Sequence, residues 1–429
     1  MSEELPPGWA LAPLRPMVRT RSGDSKLIKG KLTKEPVSGL FPAFSASGQD
    51  VWVSEPAHEG RAIIVSAVGA RCGKCFIADG RWSAIANTHV LWPNEHVVDR
   101  DFLWWRVNDE DFWKKGGSAQ PFVKVGDTLD EPLALPPLAE QRRIVARIEA
   151  LFARTRQARA DLLRIAPLAQ RHMSAVLAAI FRGEMLPPPH GDAMPPPLIP
   201  LRTIVESLRY GTAQKCSTEP RGVAVLRIPN VANGRIDLGD LKYGELDRAE
   251  LERLRLRVGD ILIIRSNGSP TLVGRPALVG PEAEGLAFAG YLIRARPRSD
   301  RVEPAYLSLM LQAPQIREHI EINARSSSGV HNINSEELGA LEVPLPPIEQ
   351  QRKAVERLNS ERGQAVRLAD DATRALALLD HLERSILTRA FRGELVPQDP
   401  ADEPASVTLS RIGAVAAPIA TRRGRKRAA

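Results

Sequence analysis

The sequence predicts an α+β protein. Two mixed α/β domains alternate with two long helices, the helices pair as an antiparallel coiled coil, and the whole is duplicated about a pseudo-twofold. Three observations predict this. First, a segment that opens Leu135-Pro136-Pro137-Leu138-Ala139-Glu140-Gln141-Arg142-Arg143 and closes Phe181-Arg182-Gly183-Glu184-Met185 returns later in the chain. The copy opens Leu345-Pro346-Pro347-Ile348-Glu349-Gln350-Gln351-Arg352-Lys353 and closes Phe391-Arg392-Gly393-Glu394-Leu395. The offset is 210 at both ends (135 to 345 and 181 to 391), so length is held while identity inside drifts. A spacer behaves this way, because its reach matters more than its side chains. Second, each repeat carries an apolar stripe of heptad period. Third, the stretches between repeats hold short apolar runs punctuated by Gly, Pro and Asn, the pattern of strands and turns.

Taken in chain order, residues 1–134 form the first mixed domain, with Ala62-Ile63-Ile64-Val65 and His89-Val90-Leu91-Trp92 as strands. The first spacer occupies 135–186. Pro136 and Pro137 resist helix just ahead of it, and Gly183 suits a left-handed cap at its end. Its stripe runs through Ile144, Ile148, Leu151, Leu162, Ile165 and Val176, with His172 on the seam. Pro167 should kink this helix. A stiff Pro-rich linker covers 187–199. The second mixed domain spans 200–344, with strands at Ala224–Ile228 and Gly259–Ile264. The second spacer occupies 345–397, with Leu358, Leu368, Leu379, Leu382 and Ile386 on its stripe; Glu361 interrupts that stripe and alanines dominate its middle. Neither helix can bury its stripe alone, so the two should pair. About 44 residues at ~1.5 Å each span on the order of 65 Å. Parallel pairing would crowd both domains at one tip, whereas antiparallel pairing separates them. Residues 398–429 turn polar and Pro-rich and end in Arg422-Arg423-Gly424-Arg425-Lys426-Arg427, which reads as a disordered basic tail.

Composition narrows the function classes. Lysine and arginine (59) exceed acids (51), a net charge of +8 that favours an anionic partner without specifying nucleic acid. Three cysteines and no signal peptide after Met1-Ser2-Glu3-Glu4 argue against a disulfide framework and for a reducing cytoplasm. No apolar run reaches the ~18–20 residues of a membrane span.

The motifs resemble the DNA-specificity subunit of Type I restriction–modification enzymes over nearly all of the chain up to residue 398. The repeated Leu-Pro-Pro-x-x-x-Gln opening and Phe-Arg-Gly-Glu close are similar to that family's two central repeats. Leu226-Arg227-Ile228-Pro229-Asn230-Val231, Gly259-Asp260-Ile261-Leu262, Arg265-Ser266-Asn267-Gly268-Ser269 and Leu272-Val273-Gly274-Arg275 resemble a family target-recognition domain. So do Ser328-Gly329, Ile333-Asn334 and Leu341–Pro346. Val68–Gly73 and Asn87–Leu91 are a more divergent match in the first domain. The resemblance implies that each domain reads one half of an interrupted DNA site. It implies that the helices set the gap and dock two methyltransferase subunits, which modify adenine N6 with S-adenosylmethionine. Two motor-nuclease subunits, with ATP and Mg, would join for restriction. The specificity subunit would do no chemistry and bind no cofactor.

The residues agree with a non-catalytic role. An adenine methyltransferase needs an Asn/Asp-Pro-Pro-Tyr/Phe loop around the flipped base, and no Pro-Pro here precedes Tyr or Phe. Gly69-Ala70-Arg71-Cys72-Gly73-Lys74-Cys75 resembles a phosphate loop but is one residue short and ends in Cys. A hairpin with glycine turns is the preferred reading. Cys72 and Cys75 with His89 and His96 suggest zinc, but the His spacing is too long for the usual finger, and no metal is expected.

Base reading calls for Arg, Asn, Gln, Ser or Thr in a rigid frame. In the second domain the candidates are Arg265, Ser266, Asn267, Ser269, Thr271 and Arg275, with Arg325 and Ser326 on a second polar loop, 324–331. In the first they are Arg71, Lys74, Arg81, Lys114, Lys115, Ser45 and Gln49. Turns use Asn267 and Gly268 in any case, and lysines are often merely solvated. Trp104, Trp105 and Trp113 suit core or helix packing better than base stacking. The arginines off the helical seam, such as Arg143, Arg147 and Arg159, suit a salt-bridged face better than spacer-phosphate contact. Two other readings stay open: the specificity subunit of another bipartite restriction–modification system, and a two-headed coiled-coil scaffold for protein or RNA. Neighbouring genes separate the first, and a gel shift on random duplexes with the partner methyltransferase separates the second.

Overall fold

The computed structural model describes residues 5–184, 195–327 and 330–413, with backbone alone at 323 and 325–327. Met185, residues 187–194 of the linker, Ser328-Gly329 and the terminal basic run lie outside the described residues. The chain divides into two compact units, residues 1–161 with 375–429, and residues 162–374.

The first unit is built on a four-stranded antiparallel sheet in the order Val18–Ser22, Thr88–Pro93, Ala62–Ser66, Cys75–Ala78. Its strand Ala62–Ser66 is buried throughout, which explains its unbroken apolar run: both faces are covered. Ile63 and Val65 face the core that holds Trp9, Phe102 and Leu103, whereas Ala62 and Ile64 face Phe44, Trp82 and Val90. A second sheet joins Gly48–Val53, Phe41–Ser45, Arg81–Ala84 and His58–Glu59. A hairpin of Lys115–Gly116 and Phe122–Val123 bridges to Val68.

The second unit carries a four-stranded antiparallel sheet in the order Val205–Tyr210, Leu292–Pro297, Ile261–Ile264, Pro276–Leu278. Ile261 and Ile263 face one core and Leu262 and Ile264 the other. A small ribbon joins Ser266–Asn267, Val330–Asn332 and Arg325–Ser327. The polar stretch 324–331, expected as a loop, is therefore largely a strand pair. Serine-rich composition hid it, because its pairing partner at 266–267 lies about 60 residues away.

The repeated motifs have a structural reason. Gln141 is fully buried. It donates through Nε2 to the carbonyls of Val97 (3.1 Å) and Pro136 (2.9 Å), and it accepts from the Asp99 amide (2.7 Å). Gln351 makes the matching set in the second unit: Nε2 to Arg301 (3.2 Å) and Pro346 (2.8 Å), with the Glu303 amide donating at 2.8 Å. Asp99 and Glu303 each precede a short helix, Arg100–Val107 and Pro304–Met310. One glutamine in each repeat thus locks the start of a spacer helix to the domain beside it. At the other end, Gly183 and Gly393 sit at φ 78° and 73°. The Glu184 and Glu394 amides reach back five residues to the Ala179 and Arg389 carbonyls, which closes a Schellman cap.

The first long helix runs Leu138–Leu163, breaks at Arg164, and resumes as Ile165–Phe181. The break agrees with the kink expected from Pro167, whose ring clashes with the carbonyl four residues earlier, that of Leu163. The second runs unbroken over Ile348–Phe391, with Ala377 at the corresponding place. Within the first unit, Thr155 donates to Glu383 (2.6 Å), and Arg159 pairs with Asp380 (2.7 Å) and Glu383 (3.3 Å). Within the second, His172 meets Glu361 at 3.1 Å, so two polar residues on the stripes answer each other. Their contact holds the Glu361 carboxyl below its usual range, through the His172 hydrogen bond first and Arg357 after it.

Two seam positions need correction. Leu368 and Leu382 are 51% and 48% exposed. Buried and half-buried positions instead step through Ala354, Leu358, Glu361, Ala365, Ala369, Ala372, Leu376, Leu379, Glu383, Ile386 and Ala390. This series advances by about 3.6 residues, the period of a straight α-helix, whereas a strict heptad drifts off it. Ile144, Ile148 and Val176 are buried on the first helix, and Leu151, Leu162 and Ile165 are half-buried.

The tail is also corrected in part. Residues 398–413 pack on the first unit. Asp402 takes a two-pronged ion pair from Arg143 (3.2 and 2.6 Å), and Ala405–Arg411 is helical with Ala405, Thr408 and Leu409 buried. Those three recur at helical spacing on a face too short to stand out in a Pro-rich stretch.

Candidate nucleic-acid interface

In the second unit the polar candidates separate by whether the fold already uses their hydrogen-bonding capacity. Asn267 accepts from the Ser269 amide (2.8 Å), and Ser269 bonds Thr271 (2.9 Å). These three build a turn. Arg275 donates to the Ala232 carbonyl (2.8 Å). Arg317, which the sequence did not single out, donates to Val273 (2.8 Å) and Thr271 (3.0 Å) and pins the same loop. Burial pushes its guanidinium below the ordinary range.

Arg265 is different. Its guanidinium lies over the Tyr210 ring at 4.7 Å and reaches the Gly290 carbonyl at 3.5 Å, yet its Nε is buried with no partner. It stands on the wall of a cleft of about 830 Å³ that also meets Lys215, Arg227, Lys242, Tyr291 and Asn332. Arg227 holds Asp240 (2.7 Å) but leaves its Nε unpaired, and Asn332 Oδ1 is buried and unpaired. Tyr291 is 64% exposed. Among the described residues no carboxylate lines the cleft. A buried polar atom without a partner costs roughly 1–3 kcal/mol. Three such atoms in one cation-lined cleft therefore fit a place where an anionic, hydrogen-bonding ligand completes the set.

The ribbon brings the candidates into rows. Ser266 and Arg325 both stand opposite Asn332, and Asn267 and Ser326 both stand opposite His331. His331 and Asn332 were missed in the sequence. His331 closes the polar stretch 324–331 and Asn332 lies one residue beyond it, and a polar stretch read along the chain gives no register.

The first unit sorts likewise. Gly69, Cys72, Gly73 and Lys74 all spend their amides on protein carbonyls, so the segment is a glycine-turned hairpin with little left to cradle a phosphate. Arg71 is exposed on it. Cys72 and Cys75 are core residues, and burial pushes the Cys75 thiol up, away from the thiolate a metal needs. His89 lies against Ser22 (3.4 Å), and His96 is exposed. Ser45 is corrected as a contact residue. It is 3% exposed and accepts from Lys29 (3.3 Å), as a strand end folded under its own turn. Lys114 is tied to Glu131. Gln49, Arg81 and Lys115 remain exposed, with Arg81 over Phe41 at 4.4 Å, and Lys74 lies 5.7 Å from the Phe76 ring. Trp113 is core, and Trp105 packs on Phe152 at 4.8 Å.

Sequence reasoning missed Arg19 and Arg21. Both are exposed on the edge strand Val18–Ser22, and Arg19 lies over Trp92 at 4.6 Å. Beside them His58 packs between Trp82 (4.8 Å) and Trp92 (5.3 Å). Burial, then the Arg21 and Arg19 charges, lower its pKa.

Residues 52–163 match the Type I restriction modification DNA specificity domain. The chain is 30% identical over 279 residues to the Type I restriction enzyme EcoKI specificity subunit of Escherichia coli (strain K12), covering 63% of this chain and 59% of that protein. The chain thus spans about three-fifths of that relative's length. In fold it is similar to a chain solved in work on complex assembly and conformational transition of the type I R-M system. That match has a TM-score of 0.65 and 22% identity, and covers 91% of this chain and 99% of that one. It is also similar to the HsdS subunit from Thermoanaerobacter tengcongensis, with a TM-score of 0.60 and 24% identity over 92% of this chain and all of that one.

Proposed function

We propose that this chain, whose residues 52–163 match the Type I restriction modification DNA specificity domain, is the DNA-recognition subunit of a Type I restriction–modification complex. Each recognition domain reads one half of an interrupted DNA site. The two long helices pair antiparallel as a coiled coil in a duplicated design, and so fix the gap between halves. They also dock two methyltransferase subunits, and two motor-nuclease subunits complete the assembly. The chain itself is non-catalytic and binds no cofactor. S-adenosylmethionine, ATP and Mg act on the partners, and the complex works in the cytoplasm. No helix of the described residues is long and apolar enough to cross a membrane.

One observation carries this reading. Gln141 and Gln351 anchor the starts of two spacers of equal length to two units whose central sheets share one strand order. A ruler that bears two heads needs this arrangement, and a tether would not. The inter-helix bonds of Thr155, Arg159 and His172 support the pairing. Long-read methylation mapping of DNA from cells expressing the chain with its methyltransferase tests it. One interrupted adenine-methylated motif is expected. A continuous motif, or no methylation, overturns the proposal.

A further inference from the structure

The cleft of the second unit separates residues that build the loop from residues with capacity to spare. Asn267, Ser269 and Arg275 are consumed internally. Arg265 and Asn332 are held in place but left short of partners. Arg265 is stacked on Tyr210, and Asn332 is fixed by pairing with both Ser266 and Arg325 at the centre strand of the ribbon. Ile333, the next residue, donates its amide to the Arg265 carbonyl (3.0 Å), so the two side chains share one rigid frame. A carboxamide offers a donor and an acceptor together, the pattern that complements an adenine edge, and a guanidinium complements guanine or a phosphate. A narrow β-ribbon is also a shape that enters a major groove.

We propose that Asn332 and Arg265 are the specificity-determining pair of the second recognition domain, reading one base-pair edge of double-stranded DNA. Lys215, Arg227 and Lys242 hold the adjoining phosphates. This rests on the DNA-recognition reading above and names the residues that carry it out. The first unit does not repeat the device. Its corresponding ribbon presents Ala67 and Phe122 where the second presents Arg265 and Asn332, because the Val123 amide meets the Ala67 carbonyl as the Ile333 amide meets that of Arg265, and Val68 pairs with Phe122 as Ser266 pairs with Asn332. The first half-site is therefore read by other groups.

The test maps methylation in cells expressing the methyltransferase with the full chain, unaltered or carrying Asn332→Ala, Asn332→Asp or Arg265→Lys. Asn332→Asp keeps the side chain's shape and Arg265→Lys its charge, so a folding defect in the alanine variant does not decide the outcome. The expected result is relaxation or change at one position of the second half-site, by about tenfold or more in preference, with the first half and the gap unchanged. Asn267→Ala, a loop builder, should lower thermal stability and leave the motif intact. An unchanged motif in all three variants overturns the proposal. So does an equal loss of methylation at every sequence, which marks phosphate contact or scaffolding. If the unaltered chain directs no interrupted motif, the functional reading fails first and takes this inference with it.

Discussion

Glu140 shows how much one residue can carry. It is fully buried in the first repeat, where Trp9 donates to its Oε1 (3.1 Å), Gln398 does so at 3.3 Å, and Oε2 has no partner. Burial raises its pKa against the pull of those donors. A carboxyl whose folded pKa exceeds its unfolded value takes up a proton on folding, so stability falls as pH rises through that window. The second repeat has Gln350 at the matching place. Glu140→Gln should therefore stabilise the protein at pH 7 by on the order of 1 kcal/mol, and the gain should vanish below about pH 4; thermal melts across pH measure it. Gln141→Ala and Gln351→Ala should act oppositely. Each leaves a buried amide and two carbonyls unanswered, at a cost of roughly 2–4 kcal/mol in denaturant titrations. At this scale the sequence singled out both glutamines by repetition. It could not identify Asn332, because nothing along the chain says which polar residue of a ribbon lacks a partner.

Among the elements, the helices were the most legible, since their period, caps and length all lie within contiguous sequence. Their seam was not. The step from heptad to 3.6-residue period moves burial from Leu382 to Glu383, and only the partner helix decides which side of the stripe is covered. Ile386→Ala should consequently cost about 2–4 kcal/mol, whereas Leu382→Ala should cost less than about 1 kcal/mol. Equal costs in chemical denaturation would restore the strict heptad. Pro167 stands in the first turn of Ile165–Phe181, where its missing N–H is one that no helix pairs. Pro167→Ala should thus change stability by under ~1 kcal/mol, far from the ~3 kcal/mol of a mid-helix proline. The strands were legible where buried on both faces, as at Ala62–Val65 and Ile261–Ile264. The ribbon at 325–332 was not, because its residues carry no apolar alternation.

For the molecule as a whole, two consequences are open to measurement. Truncation after Pro397 should destabilise the first unit, because it removes Asp402 from Arg143 and uncovers the core that Ala405 and Leu409 close; a melt unchanged by the truncation would show that the segment is dispensable. Under the proposed ruler, deleting one heptad from the first spacer should alter the methylated gap or abolish modification, and mapping that returns the original gap would count against it. The sequence by itself determined the order of parts, the equal length of the spacers and the caps that bound them, since each is written in contiguous residues or in their return 210 positions later. Tertiary structure alone decided which side of each stripe is buried, that residues 398–413 pack on the first unit, and which polar groups in the cleft keep unspent hydrogen bonds. These are relations between residues distant in the chain, and pairing across space, unlike periodicity along it, leaves no local trace.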